Sequence, residues 1–140
     1  MQVELVRTKD RGSYWIDIEQ YIDQSEPMWE RLYTKKFLYE SILDGGMQLW
    51  LVLDDEREIK SIILTQIVSY PKQKILEVVL AAGEELIANI DCVLVIGEFA
   101  TACGVNFAMV KGRYGWKKPL SKLGFEMYNV NFFAATSGVE

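Results

Sequence analysis

Three apolar runs in close succession, Met47–Leu53, Ile59–Ser69 and Lys74–Ala82, constrain this chain more than any other feature. They are joined by the charged turn Asp54–Glu58 and by Tyr70-Pro71-Lys72-Gln73, both short enough for antiparallel hairpins, so the runs read as a meander of three strands. In the middle run Ile62, Leu64 and Val68 fall on one side and Ile63 and Ile67 on the other. Both sides are apolar, which makes it a central strand needing helices over both faces of its sheet.

The flanking segments supply such helices. Gln2–Thr8 alternates polar and apolar residues as a half-buried first strand. Ser13 caps a short helix with Trp15, Ile18 and Ile22 on its apolar side, ending before the start signal Ser25-Glu26-Pro27. From Met28 the residues Leu32, Phe37, Leu38, Ser41 and Ile42 recur at helical spacing until Asp44-Gly45-Gly46 stops them. Gly83-Glu84-Glu85 opens the longest helix, which runs to about Gly104. Its core stripe is Leu86, Ile90, Val93, Gly97 and Ala100. A second apolar arc (Cys92, Ile96, Phe99, Cys103) is covered either within the chain or by another subunit. A short strand, Asn106–Val110, a turn at Gly112–Gly115, a helix from Trp116 to Leu123 with Gly124 at its cap, and a strand Phe125–Thr136 complete the chain. The expectation is one α/β (α+β) domain over residues 1–140, with a mixed central sheet, an antiparallel meander and helices on both faces.

Composition excludes several chemistries. There is no histidine, which removes Ser-His-Asp hydrolysis, Cys-His catalysis and His-ligated metals, and no metal is expected. The two cysteines, eleven apart in one helix, stand about 16 Å apart along its axis and do not pair with each other. No leader or long apolar run is evident, so a cytoplasmic protein without a membrane partner is expected. Net charge is −5, yet Lys111, Arg113, Lys117, Lys118 and Lys122 form a stretch of +5 without an acid, leaving −10 elsewhere. That stretch is either a solvated face or a site for an anion, nucleic-acid backbone or acidic protein surface. Sequence-specific reading of nucleic acid is argued against, since charge without base-edge contacts specifies no sequence.

Lys122-Leu123-Gly124-Phe125-Glu126 resembles the closing K-x-GF-E signature of the GNAT superfamily of N-acetyltransferases, and the element order is similar over almost the whole chain. With Gly112-Arg113-Tyr114-Gly115-Trp116 before it, the ending resembles small GNAT-like proteins of bacteriophages. The resemblance implies an acyl-CoA-dependent N-acetyltransferase using acetyl-CoA. Its alternative is a non-catalytic GNAT-fold phage protein, in the virion or host cytoplasm, that acts as a homo-oligomer or on phage or host proteins.

It further implies that the backbone of Val78, Val79 and Leu80 holds the pantetheine arm, with the pyrophosphate at the junction Ala81-Ala82-Gly83-Glu84. That junction has one glycine, no base and two carboxylates, so ordinary helix initiation stays an alternative. Leu120 occupies the position where the superfamily often has an acidic tyrosine. Tyr114, if not a turn or packing residue, replaces it as the acid that protonates the departing thiolate. Glu77, the one acid in the run Ile75–Leu80, is the candidate base, against a solvated carboxylate at the sheet rim paired with Lys60 or Lys74.

Overall fold

The predicted meander forms as adjacent antiparallel strands β2 (Gln48–Leu53), β3 (Ile59–Ser69) and β4 (Lys74–Gly83). The computed structural model describes residues 2–83, 90–110, 117–122 and 124–126. β1 (Gln2–Leu5) joins β2 antiparallel and β5 (Phe107–Val110) joins β4 in parallel, giving the order β1-β2-β3-β4-β5. A parallel neighbour needs a crossover, and helix α4 (Ile90–Ala102) lies in the connection. β1 is shorter than predicted because the chain enters a 3₁₀ turn at Thr8–Asp10.

One face of the sheet is covered by α1 (Arg11–Gln24), α2 (Glu26–Trp29) and α3 (Lys35–Asp44). Ile18, Ile22, Trp29, Leu38 and Ile42 pack there with Leu49, Leu51, Ile62, Leu64 and Leu80. Each such fully buried side chain contributes about 1.5–3 kcal/mol of transfer free energy. On the other face α4 lays Ile96, Phe99 and Ala100 over Trp50, Val52, Ile63 and Leu76. Phe99 meets Trp50 edge to face at 5.4 Å. The buried Trp50 Nε1–H donates to Thr65 Oγ1 (2.9 Å), whose hydroxyl donates to Gln48 Oε1 (2.8 Å), so this polar group is satisfied inside the core.

Local chemistry places the helix ends differently from the sequence reading. α1 begins at Arg11, and Ser13 Oγ donates to Asp10 O (2.7 Å) inside the first turn instead of capping it. The expected continuous helix from Met28 is divided: Thr34 is extended (φ −97°, ψ 155°) and its hydroxyl accepts from Phe37 N–H, which starts α3 afresh. Of the second arc of α4, Ile96 and Phe99 are covered by the sheet, Cys103 is exposed and the side chain of Cys92 lies outside the described residues, whereas Gly97 is exposed and no part of the core stripe. Cys103, just beyond α4, is free and exposed.

Two charged side chains tie together β1, α1, α3 and β2. Arg11, only 4% exposed, donates to the carbonyls of Val6 (3.0 Å), Ile42 (3.1 Å) and Met47 (2.7 Å), joining the exit of β1, the last turn of α3 and the entry to β2. Burial lowers the proton affinity of its guanidinium. Lys35 Nζ lies 2.7 Å from Glu19 and 2.8 Å from Asp23, clamping α3 to α1, and hydrogen bonding to Asp23 and then Glu19 raises its pKa.

The end of helix α5 (Lys117–Lys122) closes as predicted. Gly124 is left-handed (φ 91°), its N–H donates to Ser121 O (3.1 Å), and Phe125 N–H donates to Leu120 O (3.0 Å). Phe125 and Glu126 are not in a strand, and the rest of the expected last strand lies outside the described residues.

Candidate active site

β4 has two unlike edges. Toward β3 it pairs along its length with one irregularity: Leu64 opposes Leu80 and Thr65 opposes Val78, which leaves Val79 as an extra residue. This bulge reverses the side-chain alternation, so Val79 and Leu80 both join the helix α1–α3 side while Val78 and Ala81 join the α4 side. Toward β5 the ladder comprises Ile75–Val78 against Phe107–Val110 and, among the described residues, goes no further. The outward-pointing half of the N–H and C=O groups of Val79–Gly83 therefore has no strand partner among the described residues. Among the described residues this leaves a notch beside β4 that starts where the bulge sits.

Glu77 stands at the head of this notch. It opposes Gln66 on β3 and Met109 on β5, next to the last paired residue Val78, and alternation points it to the α1–α3 side. It is 5% exposed, so the rim-solvated carboxylate expected as its alternative is not what forms. Lys60 Nζ lies 3.6 Å from Asp54 and 3.8 Å from Glu58. Tyr70 Oη donates to Glu77 Oε1 at 3.5 Å. Across the pair, Gln66 Nε2 donates to Tyr33 Oη at 3.1 Å, and the Tyr33 ring lies nearly parallel (13°) to Phe37 at 5.7 Å. Carboxylate, amide, phenols and rings thus follow one another from the notch to the loop before α3.

Val78 and Val79 are half-buried, Leu80 and Ala82 are buried, and Ala81 is half-buried, all within the strand. Gly83 is the closing residue of β4, and the rest of the expected helix start, Glu84-Glu85, lies outside the described residues. It opposes Ser61 at φ +120°, and a Cβ there would lie 2.6 Å from Ser61 Cα. Close approach to β3 therefore demands the glycine. Glu84, Lys111, Arg113 and Tyr114 lie outside the described residues, as does the side chain of Lys117. Lys118 and Lys122 are exposed on α5, where Leu120 is half-buried. A separate open groove of about 490 Å³, lined by Tyr14, Asp17, Leu53, Arg57 and Ile59 among others, lies between α1 and the β2–β3 hairpin, away from the notch.

Tyr33, Gln66 and Tyr70 were not singled out by the sequence reading. For Gln66 and Tyr70 the only signal was proximity to Glu77 in a hairpin register, whose bulge lies in an uninterrupted apolar run with no period to read, and Tyr33 reaches Gln66 from the loop before α3.

No family model and no curated protein matches the sequence. Solved structures do. An aminoglycoside acetyltransferase from an uncultured soil metagenomic sample, in complex with trehalose, superposes with a TM-score of 0.67 at 12% identity, covering 96% of this chain and 95% of that one. Glucosamine-6-phosphate N-acetyltransferase from Arabidopsis thaliana gives 0.63 at 8% identity over 96% and 97%. A predicted acetyltransferase from Clostridium acetobutylicum, solved with acetyl-CoA, gives 0.61 at 11% over 96% and 95%. With its five-stranded mixed sheet and the helices on its two faces, the chain has the fold of the GNAT acetyltransferases.

Proposed function

We propose that the chain is an acyl-CoA-dependent N-acetyltransferase whose acyl donor lies in the notch between β4 and β5. The observation that carries this reading is the Val79 bulge next to Val78–Val110, the last β4–β5 pair among the described residues, since strand amides facing away from β3 fit the amides of a pantetheine arm. The acetyl-CoA of the Clostridium neighbour supports the same donor. Acetyl-CoA supplies the acyl group when bound. Val79, Leu80 and Ala81 hold the arm by backbone hydrogen bonds, with Ala82, Gly83 and Glu84 at the diphosphate end.

Glu77, one residue before the notch, takes the proton from the incoming amine, and Tyr70 keeps its carboxylate oriented. Tyr114 takes the acid role that Leu120 lacks. Lys118 and Lys122, exposed on α5 with Lys111, Arg113 and Lys117 in the same segment, offer charge to the 3′-phosphate.

A titration of acetyl-CoA against thermal unfolding tests this reading. At a hundredfold excess over the dissociation constant, stability rises by about 2.7 kcal/mol, whereas an unmoved transition at millimolar ligand overturns the proposal. A second reading is favoured by Leu120, which has no proton to give. It is a phage GNAT-fold protein without turnover, working through contacts with itself or with phage or host proteins. Acetyl-CoA binding without transfer to any amine would select it.

A further inference from the structure

We propose that the buried hydroxyl of Thr65 locks the β2–β3 register and so sets where the Val79 bulge falls, which makes Thr65 a positioning residue for the acyl donor. This rests on the transferase reading above and adds how the chain holds the notch in place. The inference starts from one row across the sheet. Gln48 on β2 opposes Thr65 on β3, Thr65 opposes Val78 on β4, and Val78 opposes Val110 on β5. This row ends at the last β4–β5 pair among the described residues, and the inserted Val79 follows it directly.

A hydroxyl is costly at this point of the row. Thr65 is fully buried, and alternation puts it between Ile63 and Ile67 on the face that packs Trp50 and Val52 under α4. Its oxygen accepts from Trp50 Nε1–H at 2.9 Å and its proton goes to Gln48 Oε1 at 2.8 Å. Both partners belong to β2, Gln48 directly opposite and Trp50 on the diagonal, beside Ile63. The two bonds therefore exist in this register alone. A slip of β3 by one residue turns the hydroxyl to the α1–α3 face and leaves the buried indole N–H without its acceptor.

The consequence falls on the other ladder of β3. Ile62-Ile63-Leu64 and Val78-Val79-Leu80-Ala81-Ala82 are apolar throughout, so hydrophobic pattern alone does not say where an extra residue is taken up. With β3 fixed against β2, the mismatch stays on the β4 side, between the pairs Leu64–Leu80 and Thr65–Val78. Specifying a register is the best-attested use of a buried polar group in an apolar core. Here the register it specifies decides which backbone groups of β4 face the notch.

Calorimetric titration of acetyl-CoA into the full chain, with cross-strand proton contacts read by NMR on the ligand-free samples, tests this in Thr65→Val and Thr65→Ser. Thr65→Val keeps the shape and removes the hydroxyl. We expect it to lose part of the contact between position 65 and Val78 and to bind acetyl-CoA about fivefold more weakly, as the competent register becomes the minor one. Thr65→Ser keeps the hydroxyl and should retain the parent's register and affinity, although its missing methyl lowers the melting temperature. A Thr65 that only fills the core would lower the melting temperature in both variants and move neither register nor affinity. Gln48→Leu, at the half-buried end of the network, withdraws one partner and weakens acetyl-CoA by about twofold, and it decides the matter should Thr65→Val not fold. Unchanged affinity in Thr65→Val, or in Gln48→Leu where Thr65→Val does not fold, overturns the proposal, as do equal losses in the serine and valine variants. An acetyl-CoA melting shift in the parent with an unchanged register in Thr65→Val removes this inference and leaves the transferase reading standing. A changed register in Thr65→Val without acetyl-CoA binding by the parent upholds the lock and removes the transferase reading.

Discussion

The two edges of β4 are made by the same ten residues and behave in opposite ways. Against β3 the pairing runs from Ser61–Gly83 at one end to Ser69–Lys74 at the other, with core side chains on both faces of the sheet. Against β5 the pairing among the described residues runs from Ile75 to Val78. The single inserted residue Val79 lies at the change, and a bulge bends and twists its strand locally. A continuous ladder satisfies backbone polar groups within the fold. A ladder that ends inside a sheet leaves them for a ligand or water. Stability should therefore depend on the β3 edge and ligand binding on the β5 edge, and each contrast can be tested by substitution.

The largest effect is expected at Leu80, which is fully buried opposite Leu64. Leu80→Ala should cost about 2–5 kcal/mol in urea unfolding, since the cavity cannot collapse between strand and helices. Val79→Ala, one residue away but half-buried, should cost about 1 kcal/mol or less. Equal losses at the two positions would remove the distinction between a packed residue and an inserted one.

The next effect belongs to the open edge. Glu77→Gln keeps an acceptor for Tyr70 but removes the base, so acetyl transfer should fall by about 10²-fold while acetyl-CoA still raises the melting temperature. If transfer survives unchanged, the base lies elsewhere and Glu77 is only a buried acid of the sheet.

These contrasts also explain which parts of the structure were legible beforehand. The meander was read to within one residue at every end because its strands are bounded by charged or proline-containing turns, and the α5 cap because glycine in the left-handed region has few alternatives. The notch was invisible. Val78-Val79-Leu80-Ala81-Ala82 is apolar throughout, so a residue inserted into it shifts no polar position. Arg11 was invisible for a different reason. A lone arginine in a polar segment reads as solvated, and only the convergence of Val6, Ile42 and Met47 carbonyls gives it a buried place. Gly83 was read as leaving room for a phosphate, and the close backbone of β3 gives it a second reason to be glycine. The site thus came from long-range geometry, which periodicity does not encode.

That close approach is open to test. Gly83→Ala forces a Cβ into Ser61 at positive φ, and should cost about 1–3 kcal/mol of stability. Because the clash is with the closed edge, acetyl-CoA should bind the remaining folded fraction with little change in affinity. A variant of full stability that has lost acetyl-CoA binding would mean the glycine serves the open edge after all.

The smallest effect lies at the far end of the closed region, in the β2–β3 turn. Asp54 Oδ1 accepts from Glu58 N–H and Glu56 N–H, both at 2.9 Å, and Arg57 completes the turn at φ 62°. The Glu58 amide, then that of Glu56 and the charge of Lys60, hold the carboxyl of Asp54 below the usual aspartate range. A depressed pKa in the folded state means that the unfolded chain binds the proton more readily. The stabilisation is therefore complete above the ordinary aspartate pKa of about 3.9 and is lost as pH falls through the lower folded value. Asp54→Asn retains an acceptor but no charge, so the melting temperature of the parent should exceed that of the variant slightly at neutral pH and converge with it in acid. The carboxylate is engaged by the amides of its own turn and by Lys60, so both proteins should gain equally from acetyl-CoA at neutral pH. A gap that widens on acidification would reverse the assigned sign, and unequal gains from acetyl-CoA would show that the two edges of the sheet are coupled.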